Sequence, residues 1–231
     1  MLPPHVIRAV AFDLDNTLWD VDPVIVRAEA RWLEWLQENC PRIPERLSMD
    51  ELRASRMALA AREPHNAHDF TYLRIASLAQ HARECGYDES ISEQAFEIFI
   101  AERNQVDLFA DVRPGLRRLS TRYALASLSN GNADLGRIGV ADLFSVSLNA
   151  RGIGAAKPDP RCFERLVADL QLTPHEVIYV GDDPLLDVEA GRAAGLLTAW
   201  MNRTGQVWPA TVRPADFNVG DCLELATQLG T

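Results

Sequence analysis

An alternation of strand and helix, interrupted once directly after its first strand, is what most constrains the fold of this chain. Ile7 to Phe12 (IRAVAF) is a short apolar run suited to a buried strand, and the polar cluster DLDNT stops it. From Pro23 to about Leu108 the texture changes. VIVRAEARWLEWLQENC, DELRASRMALAARE, FTYLRIASLAQHAREC and SEQAFEIFIAERNQ carry apolar residues three and four apart, the spacing of amphipathic helices. Asp22 before Pro23 reads as an N-cap, and Ser48 or Asp50 as the start of the second helix. After Arg113-Pro114-Gly115 the order becomes helix (LRRLSTR), strand (YALASLS), loop (NGNA), short helix and strand (SVSLNA). There follow a helix (RCFERLVADL), a strand (EVIYV), the loop GDDPLLD, a helix (VEAGRAA) and a strand (LLTAW). Alternation with short loops implies an α/β fold whose parallel sheet is covered on both faces. The expected division is a core from 1–20 and 109–231 with a helical insert over 21–108.

Ligands of such sheets bind outside the carboxyl ends of the strands. DLDNT, SNG and GDDPLLD each fall at such an end, so they read as one site, and the insert is placed to cover it. Asp13 and Asp15 are two apart, so on extended chain both can approach one substrate. Two carboxylates at ~4 Å and an effective dielectric of ~20 repel by about 4 kcal/mol, and a phosphate dianion would add to that. A hard cation or a protonated carboxyl relieves it, and phosphoryl transfer uses both. The plain alternative for this cluster alone is a surface acidic turn. Ser129-Asn130-Gly131 offers a hydroxyl, an amide and backbone N–H groups for phosphoryl oxygens, although SNG is also an ordinary turn. Lys157 before Pro158 is by itself a solvated charge. Gly181-Asp182-Asp183-Pro184 with Asp187 follows the apolar VIYV, where buried acids are costly unless a metal or hydrogen bonds compensate.

Together and in order, these clusters resemble the four motifs of the haloacid dehalogenase superfamily: DxDxT, a serine or threonine, a lysine, and a GD-containing acidic loop. The resemblance spans the chain, with the helical stretch in the position of that family's type 1 cap. It implies a Rossmann-like parallel-sheet core with an inserted helical cap, and a Mg²⁺-dependent phosphatase. Asp13 would be the nucleophile, and Asp15 would protonate the leaving oxygen and later activate water. Ser129 and Lys157 would hold the phosphoryl group, with Thr17, Asn130 and Gly131 among its contacts. Asp182, Asp13 and the carbonyl of Asp15 would bind Mg²⁺, while Asp183 and Asp187 would hold metal-bound water or Lys157. Within the family, FDLDNTLWDVDPVIVRAE, HDFTYLRIAS, SLSNGNADLGRIGVADLFSVSLNARGIGAAKP and VGDDPLLDV resemble phosphatases of bacterial flavin biosynthesis. That likeness implies 5-amino-6-(5-phosphoribitylamino)uracil or flavin mononucleotide as substrate, and it makes His68 a substrate contact of the cap.

A net charge of −10 argues against a nucleic-acid backbone as partner, yet it allows a small phosphorylated metabolite at a locally cationic pocket. No apolar run suits a membrane span, and the amino terminus lacks the pattern of a secretory signal. Cys40, Cys85, Cys162 and Cys222 have no metal-like spacing and read as reduced thiols, so a cytoplasmic monomer or homodimer is expected. His65 and His68 lack the helix spacing and the third ligand of a metal site. Trp32 and Trp35 share a helix face and read as cap core. Trp200 and Trp208 read as packing, and Arg151 to Gly154 as a turn. Three rivals remain: a 2-haloacid dehalogenase on the same fold, which Asp15 argues against, a sugar-phosphate phosphotransferase, and a non-catalytic binding protein.

Overall fold

The computed structural model describes residues 7–231, so residues 1–6, part of the stretch read for a secretory signal, lie outside it. In chain order the elements are β1 (Ala9–Phe12), α1 (Asp22–Asn39), α2 (Arg42–Arg46), α3 (Met49–Arg62) and α4 (Phe70–Glu84). There follow α5 (Ile91–Arg103), α6 (Val112–Ser120), β2 (Ala124–Ser129), α7 (Leu135–Ile138), β3 (Val146–Asn149) and α8 (Ala150–Ile153). The chain closes with α9 (Pro160–Leu170), β4 (Val177–Gly181), α10 (Ala190–Ala193), β5 (Leu197–Met201), β6 (Phe217–Val219) and α11 (Cys222–Gln228).

Every strand pairing is parallel, and the sheet order is β3-β2-β1-β4-β5-β6. β1 lies between β2 and β4: Phe12 is opposite Ser127 on one side and Val180 on the other. All four β1 residues are fully buried, which is why the strand reads as a continuous apolar run rather than an alternation. Ala9, Ala11, Leu128 and Tyr179 pack on one side of the sheet with Phe163 and Leu166 of α9.

Contacts within the chain divide it into two units. One holds residues up to Asp20, Asp107–Gly131 and Gly139–Thr231; the other holds Val21–Val106 and Asn132–Ile138. The second unit is helical, and its core gathers Trp32, Leu36, Ile43, Leu78, Phe96 and Phe99, with Trp35 packed at its margin. Truncating a buried aromatic such as Trp32 or Phe99 to alanine costs roughly 3–5 kcal/mol, so this set is the main source of the unit's stability. α3 starts at Ser48, whose hydroxyl accepts from Glu51 N at 3.3 Å while Glu51 accepts from Ser48 N at 2.8 Å, a reciprocal cap. Asn132 and Asp134 join this unit through bonds to Thr71 and Asn104.

Local differences from the sequence reading have simple causes. α1 includes Asp22 in its first turn, with Val21 as the preceding cap residue. Arg151 to Gly154, read as a turn, makes most of one helical turn that Gly154 ends at φ 78°; four residues are too few to show a period. Pro184–Glu189, read within a loop and the start of a helix, is a wide π-helical turn. β6 and α11 escape the periodicity reading because one is only three residues long and the other seven. No helix among the described residues is long and apolar enough to cross a membrane.

Candidate active site

The order β2-β1-β4 sets three chain segments side by side at the carboxyl ends of the sheet's central strands. Asp13 follows β1 and is fixed there by its N–H, which donates to Val180 O at 2.8 Å. Beyond it the chain makes a single helical turn, with Thr17 N and Leu18 N donating to Leu14 O. Asn16 takes φ 60°, a left-handed conformation that asparagine tolerates well. The turn buries Thr17, whose hydroxyl donates to Asp182 Oδ1 at 3.2 Å. Asp15 is half-buried, and its Oδ1 accepts from the Trp19 indole N–H at 2.9 Å.

Lys157 is buried at the centre of the cluster. Its ammonium donates to Asp13 Oδ1 at 2.6 Å, to Asp187 Oδ1 at 2.6 Å and to the Tyr179 hydroxyl at 2.9 Å. An ammonium has three donors, so each is committed. Tyr179 in turn donates to Leu128 O at 2.7 Å, and its ring meets Phe163 edge-on at 5.1 Å. Asn130 grips the Lys157 backbone from both sides: its amide donates to Lys157 O at 2.9 Å and its carbonyl accepts from Lys157 N at 2.7 Å. Ser129, at the end of β2, is buried, and its Oγ accepts from Gly131 N at 3.0 Å.

In the acidic loop, Asp187 is buried and its second oxygen accepts from Asp183 N at 3.0 Å. A Cβ on Gly181 would fall 2.2 Å from that oxygen, so only glycine lets the Asp187 carboxylate lie against the strand end. Asp183 turns the other way, accepting from Leu185 N and Leu186 N through Oδ1 and so capping the wide turn. Asp13, Asp182 and Asp187 can each present an oxygen within 4.8 Å of the others.

Electrostatics at this point are unbalanced. Burial, reinforced by Asp187, raises the Asp13 carboxyl well above its usual range even though Lys157 opposes the shift. Burial and Asp187 push Asp182 up to about 6. Burial works against the Lys157 ammonium, but Asp13 and Asp187 outweigh it and hold its pKa well above the ordinary lysine value. Among the described residues these three carboxyls face a single ammonium, so with all three ionised two negative charges stand without a cation. All candidate ligands are hard oxygens. The donor set and the charge deficit fit a divalent ion such as Mg²⁺.

The core unit therefore gathers Asp13, Asp15, Thr17, Ser129, Asn130, Gly131, Lys157, Asp182, Asp183 and Asp187 along the strand ends. His68 belongs to the helical unit, in the turn before Asp69, the N-cap of α4. Three residues go unread in the sequence, Tyr179, Trp19 and Arg203, and Trp200 reads there as packing alone. Trp200 donates from its indole to Asp182 O at 2.8 Å and stacks edge-on with Trp208 at 4.8 Å. Arg203 donates to Thr17 O at 2.7 Å and grips Asp111 with two bonds of 2.9 and 3.0 Å. None of these four carries a local signal; Tyr179, Trp200 and Arg203 meet partners that only the fold brings close, and Trp19 meets Asp15 through the turn after β1.

A profile described as haloacid dehalogenase-like hydrolase matches residues 7–195. Among characterised proteins, the Escherichia coli 5-amino-6-(5-phospho-D-ribitylamino)uracil phosphatase YigB is 29% identical over 216 residues, 90% of each chain. The haloacetate dehalogenase H-2 of a Moraxella species is 26% identical over 92% of this chain and 93% of its own. A crystal structure of a 2-haloacid dehalogenase from Pseudomonas syringae pv. Tomato superposes with a TM-score of 0.92 at 33% identity, covering 96% of this chain and 97% of that one.

Proposed function

The chain belongs to the haloacid dehalogenase-like hydrolases, and from that premise we propose that it is a Mg²⁺-dependent phosphomonoesterase working through an aspartyl-phosphate on Asp13. The observation that carries this reading is the convergence of Asp13, Asp182 and Asp187 on one point, with Asp15 two residues from the nucleophile. Lys157 holds Oδ1 of Asp13, which leaves Oδ2 to attack phosphorus. As the phosphorus–oxygen bond breaks, Asp15 gives its proton to the leaving oxygen. It then takes a proton from the water that hydrolyses the acyl phosphate. The Ser129 oxygen accepts from Gly131 N, and its O–H would donate to a phosphoryl oxygen. A bound Mg²⁺ would offset the charge of the carboxylates and of the phosphoryl oxygens.

Roles within the acidic loop follow from which oxygens are already engaged. Asp187 receives Lys157 on one oxygen and Asp183 N on the other, so it anchors the lysine and the loop. Asp13 and Asp182 are then the principal ligands, with the carbonyl of Asp15 completing the set. Thr17 steadies Asp182, and Asn130 acts through the Lys157 backbone. We take residues 21–108 as the cap that selects the substrate, with His68 as a contact. The E. coli relative supports 5-amino-6-(5-phosphoribitylamino)uracil as the first metabolite to test, followed by flavin mononucleotide. Free, mostly buried cysteines support a cytoplasmic setting.

The dehalogenase relatives favour a second reading, displacement of halide from a 2-haloacid by Asp13. A departing halide needs no proton, so that chemistry has no use for Asp15; an alkoxide does need one. Hydrolysis of p-nitrophenyl phosphate and release of chloride from 2-chloropropionate separate the two. Mg²⁺-dependent phosphate release without chloride release is expected. Chloride release without phosphatase activity overturns the proposal.

A further inference from the structure

Trp19 lies outside every motif, yet its side chain reaches the acid–base group. It is fully buried, and its backbone is pinned on both sides: it bridges Asp15 and Leu108, and its carbonyl accepts from Asn16 N at 2.7 Å. Its indole N–H therefore has one fixed direction, and it donates to Asp15 Oδ1 at 2.9 Å. An indole nitrogen is a donor only, so the oxygen it meets must accept.

We propose that Trp19 is a positioning residue for leaving-group protonation: by holding Oδ1 of Asp15 it fixes the plane and direction of the carboxyl that serves the leaving oxygen. This rests on the phosphatase reading above. When Asp13 bonds to phosphorus, the proton passes from the Asp15 carboxyl to the departing ester oxygen. When water attacks the acyl phosphate, its proton returns to Asp15, so the cycle balances. Trp19 itself exchanges nothing.

The test exploits leaving groups, because a p-nitrophenolate departs with little help whereas an alkoxide requires the proton. Trp19→Phe keeps an aromatic ring and removes the donor. With purified protein and Mg²⁺, kcat/KM would be measured for p-nitrophenyl phosphate and for 2-glycerol phosphate. Positioned general acids contribute about 10²- to 10⁴-fold, so losing the orientation should lower the alkyl ester rate by about tenfold or more relative to the aryl ester. KM should change little. A merely structural role would lower both substrates equally, and that outcome, or no change at all, removes Trp19 from the proton path. Should Trp19→Phe fail to fold, replacing the indole by the isosteric benzothiophene through non-canonical incorporation gives the same comparison at constant shape. A folded wild-type protein inactive on both phosphates would instead overturn the phosphatase reading, and this inference with it.

Discussion

Each unit of the chain buries a cluster of charges, and the two clusters are out of balance in opposite senses. In the sheet unit, Asp13, Asp182 and Asp187 surround Lys157 alone. In the helical unit, Glu29 alone receives Arg53, Arg56 at 3.0 Å and Arg74 at 3.7 Å. The surplus in the helical unit is relieved only in part, since Arg74 Nη1 is buried without a hydrogen-bond partner among the described residues and burial with the neighbouring Arg56 lowers the Arg74 pKa to about 9. Arg53 is 46% exposed and also meets Asp50, while Arg74 lies 3.5 Å from the centre of the Phe99 ring and 5.6 Å from that of Trp32. Water, a second carboxylate and aromatic faces all offset cations. Burial works against the Glu29 carboxylate, but Arg53, Arg74 and Arg56 outweigh it and hold its pKa below the usual range. The acidic surplus in the sheet unit has no such outlet, since Asp13, Lys157 and Asp187 are buried and the lysine donors are used up. Excess charge that the fold itself relieves is structural. Excess charge that it leaves standing calls for a ligand.

The largest break in that comparison is Asp13→Asn. It keeps the shape and removes the nucleophile, so turnover of p-nitrophenyl phosphate should fall on the order of 10⁴-fold or more while the circular dichroism spectrum is retained. Residual activity near wild type would remove the covalent step. Glu29→Ala attacks the other cluster and strands Arg74 without its carboxylate. Losing one partner of a buried ion pair costs about 3–5 kcal/mol, to be read as a lower denaturant midpoint. A loss below about 1 kcal/mol would show that the rings and solvent suffice alone.

Metal binding should follow the Asp182 carboxyl. Its pKa is raised to about 6 in the folded chain against an ordinary 3.8, so the folded state holds its proton more tightly than the unfolded state does. The metal-free protein therefore loses stability from this group as pH rises through that window, and keeps what it has below it. Mg²⁺ binds the ionised form, so its apparent affinity by calorimetry should rise about tenfold from pH 5 to pH 7. A flat profile would take Asp182 out of the ligand set. The smallest effect is expected from Ser48→Ala, which removes the cap of α3 in the helical unit. It should cost about 1 kcal/mol of stability and leave metal affinity unchanged.

Much of the chemistry is legible along the chain because parallel strands announce their ends. An apolar run followed at once by Asp13-Leu14-Asp15, Ser129-Asn130 or Gly181-Asp182 marks a site wherever the sheet is parallel. The helical stretch is legible too, since its period repeats over many residues, and so is the Ser48 cap, a local pattern. What a period cannot carry is lost in short pieces, such as β6 and α11.

By itself, then, the amino-acid order determined the class of fold, the four polar clusters and the place of Asp15, on which the proposed phosphoryl chemistry rests. Tertiary structure alone decided which groups meet. It set Asp187 rather than Asp183 beside Lys157, turned Asn130 onto the lysine backbone, and brought Tyr179, Trp200 and Trp19 to the catalytic groups. The reason is physical. A strand end fixes where a side chain begins, but most of these pairs lie 18 to 30 residues apart in sequence, so pairing depends on strand order and loop shape, which no local pattern encodes. Even Trp19, four residues from Asp15, meets it only because a helical turn and a bridge to Leu108 bend the chain back.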